Sequence, residues 1–421
     1  MIEGWCPGAL RPMESGDGLI VRLRISGGIV PIALVQRIAH WSRRWGNGQI
    51  DLSNRANLQL RGLSQQHLPA LQGALAEWEL LDSSATGEAV RNVVSSPLAG
   101  LDPTAVLDVR PIGGGLEQRL ASDAALHRLP GKFGFAVDDG GILGLDAVPA
   151  DVRFVACRTA DGPGFEVHLS GAPRQRFAPC RPAGLADVAA AISGAFLRLR
   201  TERETQIRRM RDLADAPGAE AIARESGLAA IRSPTPSRLV HPSSFLGAHA
   251  LGVAGFLGVG LPFGRISAED LAGLASAGAE RGAGELRLTP WRAILVPVPS
   301  PAAAWSLSDE LSASAFILDP GDPLRRVAAC PGAPSCARAT IPVRDDAASL
   351  AAAVAGAPGW GILLHISSCE KGCAHPRPAP VTLIGRNGGY DLVRDGVASD
   401  LPALRNLTLE QAAEQLRGGA A

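Results

Sequence analysis

Within residues 31–45 the apolar side chains Leu34, Val35, Ile38 and Trp41 recur at three- and four-residue steps, the spacing of one face of an α-helix. Residues 267–280 form a second helical stretch, opened by Ser267 and Asp270 in the manner of a capping box. Residues 185–200 read as a helix ending in a basic turn, and residues 404–416 as a closing helix. Residues 54–61 alternate instead. Arg55, Asn57, Gln59 and Arg61 fall on one side of a strand, with Ala56, Leu58 and Leu60 on the other. A row of guanidinium and amide groups suits a carboxylate-rich ligand, because arginine grips a carboxylate through two parallel bonds. Taken alone, the row equally suits an exposed sheet face.

The pattern then repeats at long range. Gly48-Gln49-Ile50-Asp51-Leu52-Ser53 is echoed by Gly284-Glu285-Leu286-Arg287-Leu288-Thr289, each after one of the first two helical stretches. Arg91-Asn92-Val93-Val94-Ser95-Ser96-Pro97 pairs with Arg325-Arg326-Val327-Ala328-Ala329-Cys330-Pro331. Gly134-Phe135-Ala136-Val137-Asp138-Asp139 pairs with His365-Ile366-Ser367-Ser368-Cys369-Glu370, and Phe165-Glu166-Val167-His168 with Tyr390-Asp391-Leu392-Val393. Four matches in one order at nearly constant spacing indicate a duplicated chain, with repeats far longer than solenoid units. Each half is expected to hold a small strand–helix–strand unit followed by a larger α/β unit, joined near residues 210–236. The cleft between two such halves is a natural ligand site.

Composition narrows the class. Of 421 residues 46% are hydrophobic and 19% charged, which excludes disorder as the main state. Lys and Arg (41) balance Asp and Glu (41), so a general nucleic-acid coat is excluded while a local basic pocket is not. Residues 1–15 carry Glu3 and Pro7 where a leader needs an apolar run. Residues 245–261 are apolar but broken by five glycines, and fall short of the ~20 residues of a membrane span. The expected location is cytoplasmic, with no membrane and no nucleic acid as partner.

Seven cysteines, an odd number, do not read as a disulfide framework. Four of them form two close pairs, Cys330 with Cys336 and Cys369 with Cys373, in the second half only; their first-half counterparts at two positions are Ser96 and Asp138. Two such pairs can converge as four soft thiolates on one inorganic centre, an iron–sulfur cluster by preference. Zinc fits the second pair better than the first, and unligated core thiols are the remaining alternative. Cys6, Cys157 and Cys180 show no partner spacing and read as buried or incidental thiols.

C-x5-C followed by C-x3-C, with the duplicated order of units, resembles the siroheme-dependent nitrite and sulfite reductases. The resemblance implies an α+β fold with two half-ferredoxin-like units (1–80 and 237–300) pairing across a pseudo-twofold axis. Two larger α/β domains of the nitrite/sulfite-reductase type would occupy 81–210 and 301–421, with a linker at 211–236 and the 4Fe-4S cluster in the last domain. It also implies that Cys330, Cys336, Cys369 and Cys373 ligate the cluster, Cys373 being the thiolate that in the reductases bridges to the tetrapyrrole iron. Arg55, Arg91 and Lys132 match cationic positions around the tetrapyrrole; Asn57, Gln59 and Arg61 join them as candidate binding residues.

Leu129-Pro130-Gly131-Lys132-Phe133-Gly134 departs from the reductases, which have a second lysine where Gly134 stands. Losing one ammonium weakens a site for sulfite or nitrite. The start of the chain, Cys6-Pro7-Gly8, Arg11-Pro12-Met13 and Asp17-Gly18-Leu19, is similar to the precorrin-3B synthases of the same superfamily. That resemblance implies a monooxygenase that hydroxylates precorrin-3A with O2 and forms a lactone in aerobic cobalamin biosynthesis. It further implies an external electron donor, NAD(P)H through a reductase or a ferredoxin, and a separate mononuclear non-haem iron. The sequence assigns neither ligands for that iron nor catalytic residues. The alternatives are a sulfite or nitrite reductase with siroheme as permanent cofactor and a zinc-stapled protein without catalysis.

Other features carry less. The Gly258–Gly264 run has misspaced glycines and Pro262, and reads as a turn before a helix rather than a dinucleotide loop. Gly113-Gly114-Gly115 reads as a flexible loop. His168 reads as structural; His365, four residues before Cys369, reads as a neighbour of the thiols. Arg292 matches Arg55 only with a one-residue shift.

Overall fold

The computed structural model describes residues 6–171, 175–202, 207–213, 216–229, 245–355, 361–386 and 388–418. Four five-stranded sheets organise the chain, and two of them are built from both halves. The first sheet runs Met13–Ser15, Gly18–Leu23, Leu58–Leu63, Gln49–Leu52 and then Arg265–Ser267, a strand from the second half. The second runs Gly247–Leu251, Ala254–Gly260, Ala293–Val298, Glu285–Leu288 and then Ile29–Pro31, a strand from the first half. Ile266 lies opposite Ile50, and Val30 opposite Leu286. Each half therefore caps the open edge of the other's sheet, an edge that would otherwise expose unpaired backbone groups.

Helices Ile32–Trp45 and Ala268–Glu280 pack on each other behind these sheets. The expected helical positions Leu34, Val35, Ile38 and Trp41 are all buried, in one core shared with Leu271 and Leu274. Ser267 caps the second helix by accepting from the Asp270 N–H at 2.9 Å. The loops retain the duplication: Gly27 and Phe263 both have positive φ (62° and 53°), as do Ala56 and Arg292 (54° and 58°). The left-handed conformation is costly for a residue with a Cβ, so its persistence at matching places argues for one inherited loop geometry.

The other two sheets repeat one topology. Val93–Ser95, Phe135–Asp138 and Val152–Thr159 are parallel neighbours, followed by antiparallel Gly162–Leu169 and Gln175–Cys180. Val327–Ala329, Leu364–Ser367 and Ala379–Arg386 are likewise parallel, followed by antiparallel Gly389–Gly396 and Leu404–Leu407. Helix Leu185–Glu202 buries Leu185, Ala189, Ile192, Ala195 and Phe196 in the first α/β core. It is also the described helix long and apolar enough to cross a membrane.

Several local expectations change. Leu404–Leu407 is an edge strand, and the closing helix spans only Leu409–Gly418. Gly113–Gly115 lies inside helix Arg110–Ser122, where a Cβ on Gly113 would stand 2.6 Å from Ser95 Oγ. The glycine thus serves close helix–strand approach, not loop flexibility. Residues 245–261 hold a hairpin, and a Cβ on Gly258 would lie 1.8 Å from the Phe245 carbonyl oxygen. Of the join at 211–236, residues 214–215 and 230–236 lie outside the described residues, and Ala216–Glu225 is a helix packed against Leu185–Glu202.

Strand register also moves one repeat match. Val93 pairs with Phe135 and Val327 with Leu364, so Asp138 corresponds to Ser367 and Gly140 to Cys369. Short apolar runs slide by two residues without changing face, which is why the sequence alone placed Asp138 opposite Cys369. Ser96 and Cys330 do correspond. Ser96 Oγ accepts from Asp139 N at 2.9 Å, and Cys330 Sγ accepts from Ser368 N at 3.3 Å.

Asp139 itself is 1% exposed, and Asp139 Oδ2 has no hydrogen-bond partner. Burial raises its carboxyl to about 6, opposed by the Gly141 N–H and reinforced by Asp138. A raised folded-state pKa adds stability below the ordinary value near 4, and that stability is lost as pH rises through 6. Asp139→Asn is expected to remove that loss, about 2 kcal/mol between pH 4.5 and 7.5 at roughly 1.4 kcal/mol per pH unit. Urea midpoints of both proteins at pH 4.5 and 7.5 test it; parallel pH dependences would refute the assignment.

Candidate functional site

Two neighbouring parallel strands deliver the thiols. Val327–Ala329 ends at Cys330, and Leu364–Ser367 ends two residues before Cys369, so both loops leave the same edge of the sheet. Cys330 N donates to Ile366 O at 3.2 Å, which clips the loops together. Cys330 is buried, Cys336 and Cys369 are half-buried, Cys373 is exposed, and none is in a disulfide. Burial pushes the Cys373 thiol up, Lys371 pulls it down, and Cys369, Cys330 and Cys336 push it up again. Each of the other three sulfurs therefore stands close enough to Cys373 to act on its charge. Gly332 and Gly372 supply the positive φ values (69° and 57°) that the two turns require.

Beneath the second turn lies His365, fully buried, with neither ring nitrogen hydrogen-bonded. A Cβ on Gly372 would be 3.5 Å from His365 Cε1, and the His375 ring is 5.9 Å away. Orphaned buried donors are rare in a finished structure. Beneath the second thiol turn the single N–H of a neutral His365 fits a bound iron–sulfur cluster, whose sulfides accept hydrogen bonds. Among the described residues no three His, Cys, Asp or Glu side chains converge as ligands of a single ion. A four-iron cluster takes one thiolate per iron and so holds its ligands farther apart than one ion does. The same finding leaves a mononuclear non-haem iron without a protein ligand set here, and no step is assigned to it.

One polar sheet face links this region to the first half. Arg22 lies opposite Gln59, Gln59 opposite Asp51, and Asp51 opposite Arg265, across four strands of the shared sheet. Directly opposed residues point to the same side, and four strands span about 15 Å. Asp51 sits among Arg61, Arg265 and Arg344 at 3.1, 2.7 and 3.2 Å. Burial opposes its charge, but these arginines prevail and draw the carboxyl down to about 2. Arg61 also pairs with Asp17 at 2.8 Å and donates to Ser335 O at 2.7 Å, one residue before Cys336. Ser15 Oγ donates to the same carbonyl, and a Cβ on Gly16 would stand 2.4 Å from Pro334 O. The first half thus clamps the first thiol loop.

Arg61 therefore departs from the expected ligand row. Its guanidinium is 3% exposed, and Asp17 and Asp51 neutralise it. Arg91 departs in the same way, paired with Asp82 at 2.8 Å and Glu117 at 3.1 Å, while its Nη2 holds the Arg24 carbonyl. The alternation over residues 54–61 breaks too. Residues 53–57 form a tight turn closed by Ser53 N donating to Asn57 O, and the strand begins only at Leu58. Asn57 is buried, and Gln59 accepts from Arg22 Nη2 at 3.0 Å.

Arg55, at the tip of that turn, reaches Lys132 instead, with Arg55 Nη2 donating to Lys132 O at 2.6 Å. Arg22 and Arg24, which the sequence reading passed over, complete the group. Arg24 is 4% exposed and bonds Asn92 Oδ1, and burial together with Arg22 brings its pKa down to about 10. Burial lowers Arg55 as well, with Cys6 opposing and Arg22 adding to it. Among the described residues, no ion pair joins a carboxylate to Arg22, Arg24, Arg55 or Lys132. Their signal was present in sequence as Arg22-Leu23-Arg24, two cations on one strand face. Gly134 is buried, and its N–H donates to Asp151 at 2.9 Å.

The comparisons agree with this architecture. The nitrite/sulfite reductase ferredoxin-like half domain matches residues 11–78 and 252–314. The nitrite and sulphite reductase 4Fe-4S domain matches residues 86–230, the copy without the cysteine pairs. A precorrin-3B synthase from a Sinorhizobium species is 35% identical over 96% of this chain and 85% of its own length. The ferredoxin–nitrite reductase of Synechococcus elongatus is 28% identical over 97% of this chain and 88% of its own. The structure of Mycobacterium tuberculosis NirA shares the fold, with a TM-score of 0.73 over 95% of this chain and 79% of that one at 22% identity. Domain matches over more than half of the chain, and a 35% identical relative along nearly all of it, make this chain a member of the nitrite/sulfite reductase family.

Proposed function

We propose that the chain is a precorrin-3B synthase-like monooxygenase of aerobic cobalamin biosynthesis, acting on precorrin-3A with O2. The observation that carries this reading is a group of four cations, Arg22, Arg24, Arg55 and Lys132, at one end of the polar sheet face, none of which is ion-paired to a carboxylate among the described residues. Arg24 and Arg55 lose charge stability through burial, and the peripheral carboxylates of a tetrapyrrole restore it. Gln59 lies on the same face and helps orient the ring, Asn57 closes the turn that carries Arg55, and Arg61 and Arg91 hold the surrounding backbone. At the other end Cys330, Cys336, Cys369 and Cys373 hold a 4Fe-4S cluster, which supplies single electrons drawn from an external donor.

Hydroxylation at a ring-bridging carbon places one oxygen atom of O2 on the macrocycle and releases the other as water. It consumes two electrons and two protons, and a substrate side chain then closes a lactone. Gly134 supports the tetrapyrrole as substrate rather than permanent cofactor, because a small anion on siroheme iron needs the second ammonium that this chain lacks.

Arg55→Ala is expected to weaken tetrapyrrole binding by about 10–100-fold, the worth of one charge-assisted contact of 1.5–3 kcal/mol, with iron and sulfide content unchanged. Loss of both together would mean that the fold was damaged instead. The whole reading is tested on anaerobically purified protein. A cluster spectrum without bound siroheme, and O2 uptake on adding precorrin-3A with a reductant, support it. Tightly held siroheme with turnover of nitrite or sulfite would overturn it.

A further inference from the structure

The duplication gives the cationic trough a counterpart in the second half, and that counterpart is a cavity of about 180 Å3. In the first sheet Arg22 lies opposite Gln59; in the second, Gly258 lies opposite Leu295 at the equivalent register. Gly260 accordingly stands where the first half has Arg24, Trp291 where it has Arg55, and Arg325 where it has Arg91. Replacing two arginines by glycine exchanges charge for space. The walls are apolar, including Phe245, Phe263 and Ile362.

The polar side chains of the lining are all donors. Among the described lining residues the only polar side chains are Trp291, Arg292 and Arg325, and none is acidic. Trp291 Nε1 is buried without a hydrogen-bond partner. Among the described residues Arg292 has no ion pair: Asp51 is near enough to steady its charge, but both Asp51 oxygens are bonded to Arg61, Arg265 and Arg344. Burial lowers the Arg292 pKa against Asp51, as it does that of Arg325, whose Nη1 is spent on Pro320 O at 2.7 Å. Arg292 also holds a left-handed backbone, φ 58°, where the first half has the small Ala56. A buried indole N–H and an unpaired guanidinium against aromatic walls call for an anion with an apolar body. An apolar cavity of about 150 Å3 accepts one benzene ring, so this one accommodates a single ring with its carboxylate.

We propose that this cavity is a second binding site, separate from the trough, for a single-ring aromatic carboxylate. The ring lies among Phe245, Phe263 and Trp291, with the carboxylate received by Arg292 and the Trp291 indole N–H. The probe is benzoate, with benzyl alcohol as a neutral ligand of similar size, added to the full-length protein with its cluster. The readout is the Trp291 indole N–H resonance, identified by its disappearance in Trp291→Phe.

Benzoate is expected to shift that resonance saturably, and about tenfold more tightly than benzyl alcohol, the worth of one charged contact. Arg292→Gln is expected to abolish the preference while the cluster absorption stays unchanged. Equal affinity for the two probes, or no shift at about 10 mM benzoate, would overturn the proposal. The probe comparison on the unmodified protein stands even if Arg292→Gln fails to fold.

Discussion

Arg61→Met is expected to destabilise the folded protein by about 3–5 kcal/mol, the usual cost of removing one partner from a buried ion pair. The side chain is 3% exposed and serves two carboxylates and the Ser335 carbonyl at once. Its removal affects those partners unequally. Asp51 keeps Arg265 and Arg344, whereas Asp17, 8% exposed, keeps only Asn47 Nδ2 at 3.1 Å. Among the described residues the uncompensated charge is therefore Asp17, and adding Asp17→Asn to Arg61→Met should recover part of the loss. Urea unfolding of the two variants beside the parent decides the matter. A cost below about 1 kcal/mol, or no recovery in the double variant, would mean that the clamp on the thiol loop is ornamental.

Cys369→Ser is expected to eliminate the cluster. A serine oxygen is a hard ligand in a soft site, and Cys369 leaves the strand adjacent to the one that presents Cys330. Iron and acid-labile sulfide should fall to background, and the electron paramagnetic signal of the reduced protein should vanish. Cys157→Ser is the control. Cys157 lies in strand Val152–Thr159 of the other α/β domain, where burial raises its thiol, and its loss should leave iron and sulfide unaltered. A full cluster in Cys369→Ser would remove Cys369 from the ligand set. Zinc without sulfide in the parent protein would replace the cluster by a structural ion.

The site was legible where covalent spacing carries the chemistry. Cys330, Cys336, Cys369 and Cys373 stand out because short loops hold paired thiols close whatever the rest of the chain does. Arg55 and Lys132 were singled out through motif resemblance, and in the fold Arg55 Nη2 donates to the Lys132 backbone carbonyl at 2.6 Å. Arg61 and Arg91 were misjudged. An arginine in an alternating strand looks the same in sequence whether it meets a ligand or a buried carboxylate, and Asp17, Asp51, Asp82 and Glu117 are assigned by folding alone. Arg22 and Arg24 were missed for the converse reason. Inside the apolar run of residues 18–25 they read as strand polarity, and only the fold sets them beside Arg55, with Glu88 and Asp151 near but, among the described residues, no carboxylate in an ion pair with them.

From the amino acids alone came the doubling of the chain, the helices behind its small sheets and the confinement of paired thiols to the second copy. These are local matters, settled by periodicity and by the reach of a few residues. Tertiary structure alone decided that each half lends a strand to the other's sheet, that Arg61 became a clamp, and that the second trough became a cavity. The reason is physical: a charge is neutral in effect or free according to what lies across from it, and residues hundreds of positions apart become opposites only when the backbone has closed.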